Sequence, residues 1–137
     1  MKSYSASEIE ALKQADLNYY LHPTSSTVNL EAKGPKIITS GKGCMVTDIQ
    51  GKEYIDATAS LWYCSVGHGR TEVADVAYEQ ISTLESFHSF NEYSNVPAIT
   101  LAEKVSGMVP LKNARLFFTS VGSESNDTIF KLTRLYW

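Results

Sequence analysis

Thr119-Ser120-Val121-Gly122-Ser123-Glu124-Ser125-Asn126-Asp127 is the stretch on which the fold turns. Before it, Ala114 to Thr119 is a short apolar run with β character, and after it Thr128 to Trp137 carries helical spacing. A strand, a tight turn and a helix in that order form the start of a βα unit. Gly122 allows a sharp exit from the strand and leaves no Cβ in the way of a ligand. The free N–H groups of the first helical turn and the helix dipole converge on the same spot, so an anion is favoured there. Ser123 fits two roles on local chemistry alone: hydroxyl donor to a bound phosphate, or plain helix cap.

Upstream, Ser7-x-x-Glu10 reads as a capping box opening a helix that ends near Leu21-His22-Pro23. Thr24 to Thr27 reads as loop. Three short β-like runs follow, Lys36 to Ser40, Cys44 to Asp48 and Glu53 to Asp56, with Asp48-Ile49-Gln50-Gly51 suited to a hairpin turn. From Thr71 the period becomes helical through Leu84, and again from Pro97 towards Gly107. The pattern therefore changes at about residue 70. Residues 1–70 are expected to hold a helix and a small antiparallel sheet, and residues 71–137 the start of a larger α/β domain.

The chain has 137 residues, 43% hydrophobic and 20% charged, with a net charge of -3. That is the composition of a globular domain, and scattered Lys and Arg give no reason to expect nucleic acid or an anionic membrane as partner. No apolar signal core follows Met1, and no apolar run is long enough to cross a bilayer. Two cysteines, Cys44 and Cys64, lack metal-ligand spacing, so no metal site is expected and two free thiols of a cytoplasmic protein are. Gly34 to Gly43 superficially suggests a P-loop, but six residues separate its first two glycines and Gly43 stands where a Ser or Thr should be. Ser123 is not in a Gly-x-Ser-x-Gly elbow, which excludes the usual hydrolase nucleophile.

Gly122-Ser123-Glu124-Ser125-Asn126-Asp127-Thr128, with Lys131-Leu132 and Arg134-x-Tyr136-Trp137 after it, resembles the signature of the class III aminotransferases. Leu21-His22-Pro23, Gly34-Pro35, Asp48-x-x-Gly51-Lys52-x-Tyr54-x-Asp56, Leu61-Trp62 and Val66-Gly67-His68-Gly69-Arg70 extend the likeness in order, as do Phe87 to Phe90 and Leu101 to Lys104. The resemblance implies an α/β protein of PLP-dependent transferase fold type I, with pyridoxal 5'-phosphate (PLP) as cofactor. It implies transfer of an amino group from an omega-amino acid or amine to an α-keto acid such as pyruvate, in a homodimer. Ornithine, diaminopelargonate and glutamate semialdehyde enzymes of the same class are the alternatives, together with a truncated, non-catalytic remnant.

The same resemblance implies contact with the cofactor phosphate for Val121, Gly122 and Ser123, and contact with substrate for Leu61, Trp62 and Phe90. Val121 departs from the usual Ser or Thr and removes one hydroxyl donor, and Ser125 replaces a commoner Ala as a small-for-small exchange. Trp62 would wall the substrate pocket, where otherwise a core indole is the expectation, and Phe90 would reach a partner's pocket or serve as an ordinary packing aromatic. His22, His68 and His88 are expected in loops or on helix surfaces, without acid–base roles. The family's Schiff-base lysine, pyridine-pairing aspartate and ring-stacking aromatic all lie beyond Trp137, so no catalytic residue is assigned, Lys131 included. The chain stops inside a helix on two aromatics. It is therefore expected to be an N-terminal piece, inactive and poorly folded by itself, with helix faces meant for absent strands.

Overall fold

A computed structural model describes residues 3–137. Contacts divide the chain into two compact units, residues 1–80 and 81–137, the division falling inside a helix that starts at Thr71.

The first unit opens with α1 (Ala6–Tyr19). Its capping box is Ser5 with Glu8, not Ser7 with Glu10: the Glu8 N–H donates to Ser5 Oγ at 3.3 Å and the Ser5 N–H to Glu8 Oε2 at 2.8 Å. The sequence holds the Ser-x-x-Glu pattern twice, two residues apart, and the earlier copy caps the longer helix. Ser7 is spent on a 3.1 Å contact between hydroxyls with Ser5. The expected loop at Thr24 to Thr27 is a turn at Thr24 (φ 53°) followed by α2 (Thr27–Lys33). Ser26 caps it by accepting from the Asn29 N–H at 3.4 Å, and Gly34 closes it at φ 71°. A seven-residue helix is too short to display a hydrophobic period, so only its caps marked it.

Then comes an antiparallel sheet of order β1-β2-β3: Ile38–Lys42, Met45–Asp48 and Glu53–Ile55. Ser40 pairs Thr47, Lys42 pairs Met45 and Val46 pairs Tyr54. The β2–β3 turn falls at Asp48 to Gly51 as expected, with Gly51 at φ 86°. Asp48 organises it. Its Oδ1 accepts from the Gln50 and Lys52 amides, both at 2.9 Å, and its Oδ2 from the Tyr54 hydroxyl at 2.9 Å. These bonds, the Lys52 amide foremost, hold its carboxyl below the usual range against the opposing effect of burial. Among the described residues only Pro35, Thr47, Asp48 and Ile49 are buried, so the core of this unit sits under that turn. Beyond β3 a single turn, α3 (Ala59–Trp62), leads to α4 (Thr71–Thr83).

The second unit holds α5 (Val96–Ser106) and α6 (Gly122–Tyr136). Asn95 caps α5, its Oδ1 accepting from the Ala98 N–H at 3.0 Å, and Pro97 lies in the first turn, where a missing N–H costs nothing. The strand expected over Ala114 to Thr119 is not formed. The segment is irregular, because no neighbouring strand among the described residues supplies a ladder for its N–H and C=O groups. Nor does α6 wait until Thr128: it begins at Gly122 and so includes the whole Gly-Ser signature in its first turns.

Helices α4, α5 and α6 bury no residue. Val76, Ile81, Ile99, Ile129 and Leu132 are all more than half exposed on them. On α4 and α5 these are the faces expected to be meant for absent strands.

Candidate functional site

The Gly-Ser turn is built from its ends. Val121, in extended conformation (φ -146°, ψ 161°), is the N-cap of α6 and contributes no side-chain cap. Ser123 is therefore not the cap; it lies exposed inside the first turn. The nearest side-chain substitute is Glu124, whose Oε2 accepts from the Ser120 N–H at 3.0 Å, on the chain before the turn. The amides of Gly122, Ser123 and Glu124 meet no acceptor among the described residues. A Cβ built on Gly122 meets no atom within 4 Å, so the space in front of the first turn is open. Three unpartnered N–H groups, a free hydroxyl and an open approach together suit a phosphate.

The turn is braced from behind. Thr119 Oγ1 and Ser125 Oγ lie 2.5 Å apart, and Thr119 Oγ1 donates to the Val121 carbonyl at 3.2 Å. Ser125 is thus more than a small residue in place of Ala: half-buried, it fastens the helix to the incoming chain through its hydroxyl. An open cleft beside the turn is lined by Phe117, Phe118, Thr119, Ser120, Glu124, Asp127 and Thr128, but not by Gly122 or Ser123. Lys131 is paired with Asp127 at 2.6 Å, one turn apart on α6.

Phe90, in the same unit, is 75% exposed at the edge of an aromatic cluster. His88 stacks on Phe87 at 4.6 Å and meets Tyr93 edge-on at 5.0 Å, with Phe90 at 5.9 Å from His88. His88 is thus an exposed loop residue, as expected, whose ring also joins this cluster.

Leu61 and Trp62 stand in the first unit on α3, and this turn departs from anything the sequence signalled. Ala59, Ser60, Leu61 and Trp62 have φ values of 47°, 51°, 70° and 78°. Four consecutive non-glycine residues are left-handed, each at a cost of about 1–2 kcal/mol. Leu61 is 67% exposed and Trp62 82%, so within this chain Trp62 is not the core indole that is the alternative to a pocket wall.

The stitching of this loop centres on Asp56 and His68. Asp56 Oδ2 accepts from the Ser60 N–H at 2.8 Å, lies 2.8 Å from His68 Nε2 and meets the Ser60 hydroxyl at 3.3 Å. Its Oδ1 takes the Thr58 hydroxyl at 3.3 Å. The His68 contact, first among these, lowers the carboxyl below its ordinary range. His68 also forms a backbone bridge with Gly43, at 2.8 and 3.0 Å, and its ring approaches Cys64 Sγ at 3.6 Å. His68 stands in a loop, as expected, but is anchored there by its ring and backbone; His22, also in a loop, is likewise fixed, 2.8 Å from Asp16. The only sequence-level sign of the His68 role was Gly67 and Gly69, at φ 81° and 73°, whose bend brings the ring back onto the sheet.

The family model for aminotransferase class-III matches residues 28–137. The chain is 34% identical over 120 residues to a putrescine–pyruvate aminotransferase of Pseudomonas aeruginosa, covering 88% of this chain and 26% of that protein. It is 36% identical over 125 residues to a beta-alanine–pyruvate aminotransferase of the same organism, covering 90% and 28%. Among solved structures, the omega transaminase from Pseudomonas jessenii in complex with PMP superposes with a TM-score of 0.81 at 41% identity, covering 88% of this chain and 26% of that one. The chain thus spans little more than a quarter of the length of these relatives, and its elements form part of the fold type I architecture that they share. With its Gly-Ser turn inside the matched residues, the chain belongs to the class III aminotransferases.

Proposed function

We propose that the chain is the N-terminal part of a PLP-dependent omega-aminotransferase. It moves an amino group from an omega-amino acid or amine to an α-keto acid such as pyruvate, as a cytoplasmic homodimer. The observation that carries this reading is the start of α6, with three unpartnered amides and the Ser123 hydroxyl facing open space, in a chain whose family match includes it. Relatives named for putrescine, beta-alanine and pyruvate support the substrate class. On this reading residues 1–70 are a small-domain segment and residues 71–137 the beginning of the cofactor-binding domain, a boundary ten residues ahead of the division that contacts make inside α4.

PLP, when bound, supplies an electron sink for bond cleavage at the amine carbon. The residues of this chain bind and orient. The amides of Gly122 and Ser123 and the Ser123 hydroxyl hold the phosphate, and the α6 dipole adds favourable potential. Val121 contributes its position but no hydroxyl. Leu61 and Trp62 form an apolar wall for the donor, and Phe90 with its aromatic cluster lies at the interface with the second subunit.

The test uses the complete reading frame. The purified protein should transaminate putrescine or beta-alanine with pyruvate, and Ser123→Ala should weaken PLP about 10- to 100-fold, one hydrogen bond to a charged group. Unchanged PLP affinity in that variant would exclude Ser123 from the phosphate cup, and no transamination of any amine would exclude the function.

A further inference from the structure

We infer that Asp56 and His68 are positioning residues for donor specificity, acting by holding the left-handed α3 turn that sets the Trp62 indole in place. The inference rests on the functional reading above and assigns to that site two residues from outside it.

The loop from Asp56 to His68 is closed at its base by backbone. The Asp56 N–H donates to the Cys44 carbonyl at 2.8 Å, and His68 is bridged to Gly43. Both ends therefore sit on the β1–β2 hairpin. Inside the loop the left-handed run Ala59–Trp62 has few other supports. The Trp62 N–H reaches the Thr58 carbonyl at 2.8 Å, and the Tyr63 and Cys64 amides share the Ala59 carbonyl at 3.1 and 2.9 Å. The Ala59 N–H reaches the Asp56 carbonyl at 3.4 Å, and the Ser60 hydroxyl lies 3.5 Å from His68 Nε2. The shortest side-chain link is the carboxylate of Asp56, joining the Ser60 amide in mid-turn to the His68 ring at the loop's far end, both at 2.8 Å.

A left-handed Ser or Leu is unfavourable unless its surroundings over-determine it. Here the over-determining group is the carboxylate, oriented in turn by an imidazole that is itself pinned: an added Cβ on Gly41 would stand 2.7 Å from His68 Cγ, so the ring fits directly against the β1 backbone. Within this chain Trp62 is 82% exposed, and Leu61 and Tyr63 are similarly open, so the described residues fix the indole through its backbone alone. Loosening the Asp56 link lets the turn relax towards right-handed φ and swings the indole, which moves one wall of the donor pocket without touching a reacting atom.

The experiment uses the intact transaminase and two donors, one small (beta-alanine) and one bulky (1-phenylethylamine), each with pyruvate. Asp56→Asn should shift the ratio of the two kcat/KM values by about tenfold, the scale on which one displaced pocket wall alters discrimination. Two further readouts separate positioning from general destabilisation. On a Trp62→Ala background, Asp56→Asn should leave the ratio unchanged, because the wall it positions is gone. Ser60→Gly, which makes left-handed φ free of strain at that residue, should restore most of the ratio to Asp56→Asn. Should Asp56→Asn not accumulate as folded protein, His68→Gln, which leaves Asp56 its Ser60 contacts, carries the same three comparisons. An active wild type whose variant loses both donors by one common factor, or whose ratio shift persists without Trp62, overturns the proposal alone. A wild type inactive on every amine overturns the functional reading and the proposal with it.

Discussion

Expressed with nothing appended, residues 1–137 should fail to melt cooperatively. The magnitude comes from surface area. A folded monomer of 15.2 kDa exposes about 7,100 Å² and its unfolded chain about 22,000 Å², whereas this chain exposes 12,200 Å². It therefore removes only about 45% of its unfolded surface from water, where a domain of this length removes about two thirds. One apolar residue of the usual core types, Ile49, is buried among those described. Folded domains are stable by only about 5–15 kcal/mol, the small remainder after chain entropy opposes burial, so a shortfall of this size leaves no margin. The assay is calorimetry with near-ultraviolet circular dichroism and dye binding on the isolated 137-residue polypeptide. Expected are a broad, low-enthalpy transition, little fixed aromatic signal and strong dye binding, with self-association through the open faces of α4 to α6. A monodisperse monomer melting in one sharp step with an enthalpy of about 90 kcal/mol, the ordinary value for this length, would show that the exposed helix faces cost the chain nothing.

In the intact protein, Gly41→Ala should destabilise by about 1–3 kcal/mol, because its Cβ would stand 2.7 and 2.8 Å from the Cγ and Cβ of His68, which Asp56 prevents from moving aside. Thermal melts compare it with Gly122→Ala, where the added Cβ meets nothing and stability should hold while PLP binding weakens. Acid should unfold the protein partly through Asp48 and Asp56. Both carboxyls are held below their ordinary value when folded, so their contribution is present above about pH 4 and is lost as pH falls below it. A melting midpoint followed from about pH 6 to about pH 3 should drop, and Asp48→Asn should flatten that drop; an unchanged slope would mean that Asp48 has no part in it.

Local determinants were legible in the sequence alone. Gly51 after Asp48 announced a hairpin because only such a residue takes φ of 86° freely, and Pro97 announced a helix start whose Asn95 cap came only with the structure. The three strands, the helices from Thr71 and Pro97 and the turn at Gly122-Ser123 followed from the same short-range chemistry, since caps and turns depend on residues three or four apart, whereas α2 and α3 did not. The repeated Ser-x-x-Glu shows the limit of that reading, for both copies satisfied the rule and only one capped the helix. What tertiary structure decided depends on partners distant in sequence. The apolar run at 114–119 is no strand without a neighbour to complete its ladder. The left-handed turn at Ala59–Trp62 runs against the preference of all four residues and persists because a carboxylate and an imidazole twelve positions apart are brought within 2.8 Å by the hairpin beneath them. No local pattern encodes that contact. It exists only once the sheet has placed Gly43 against His68.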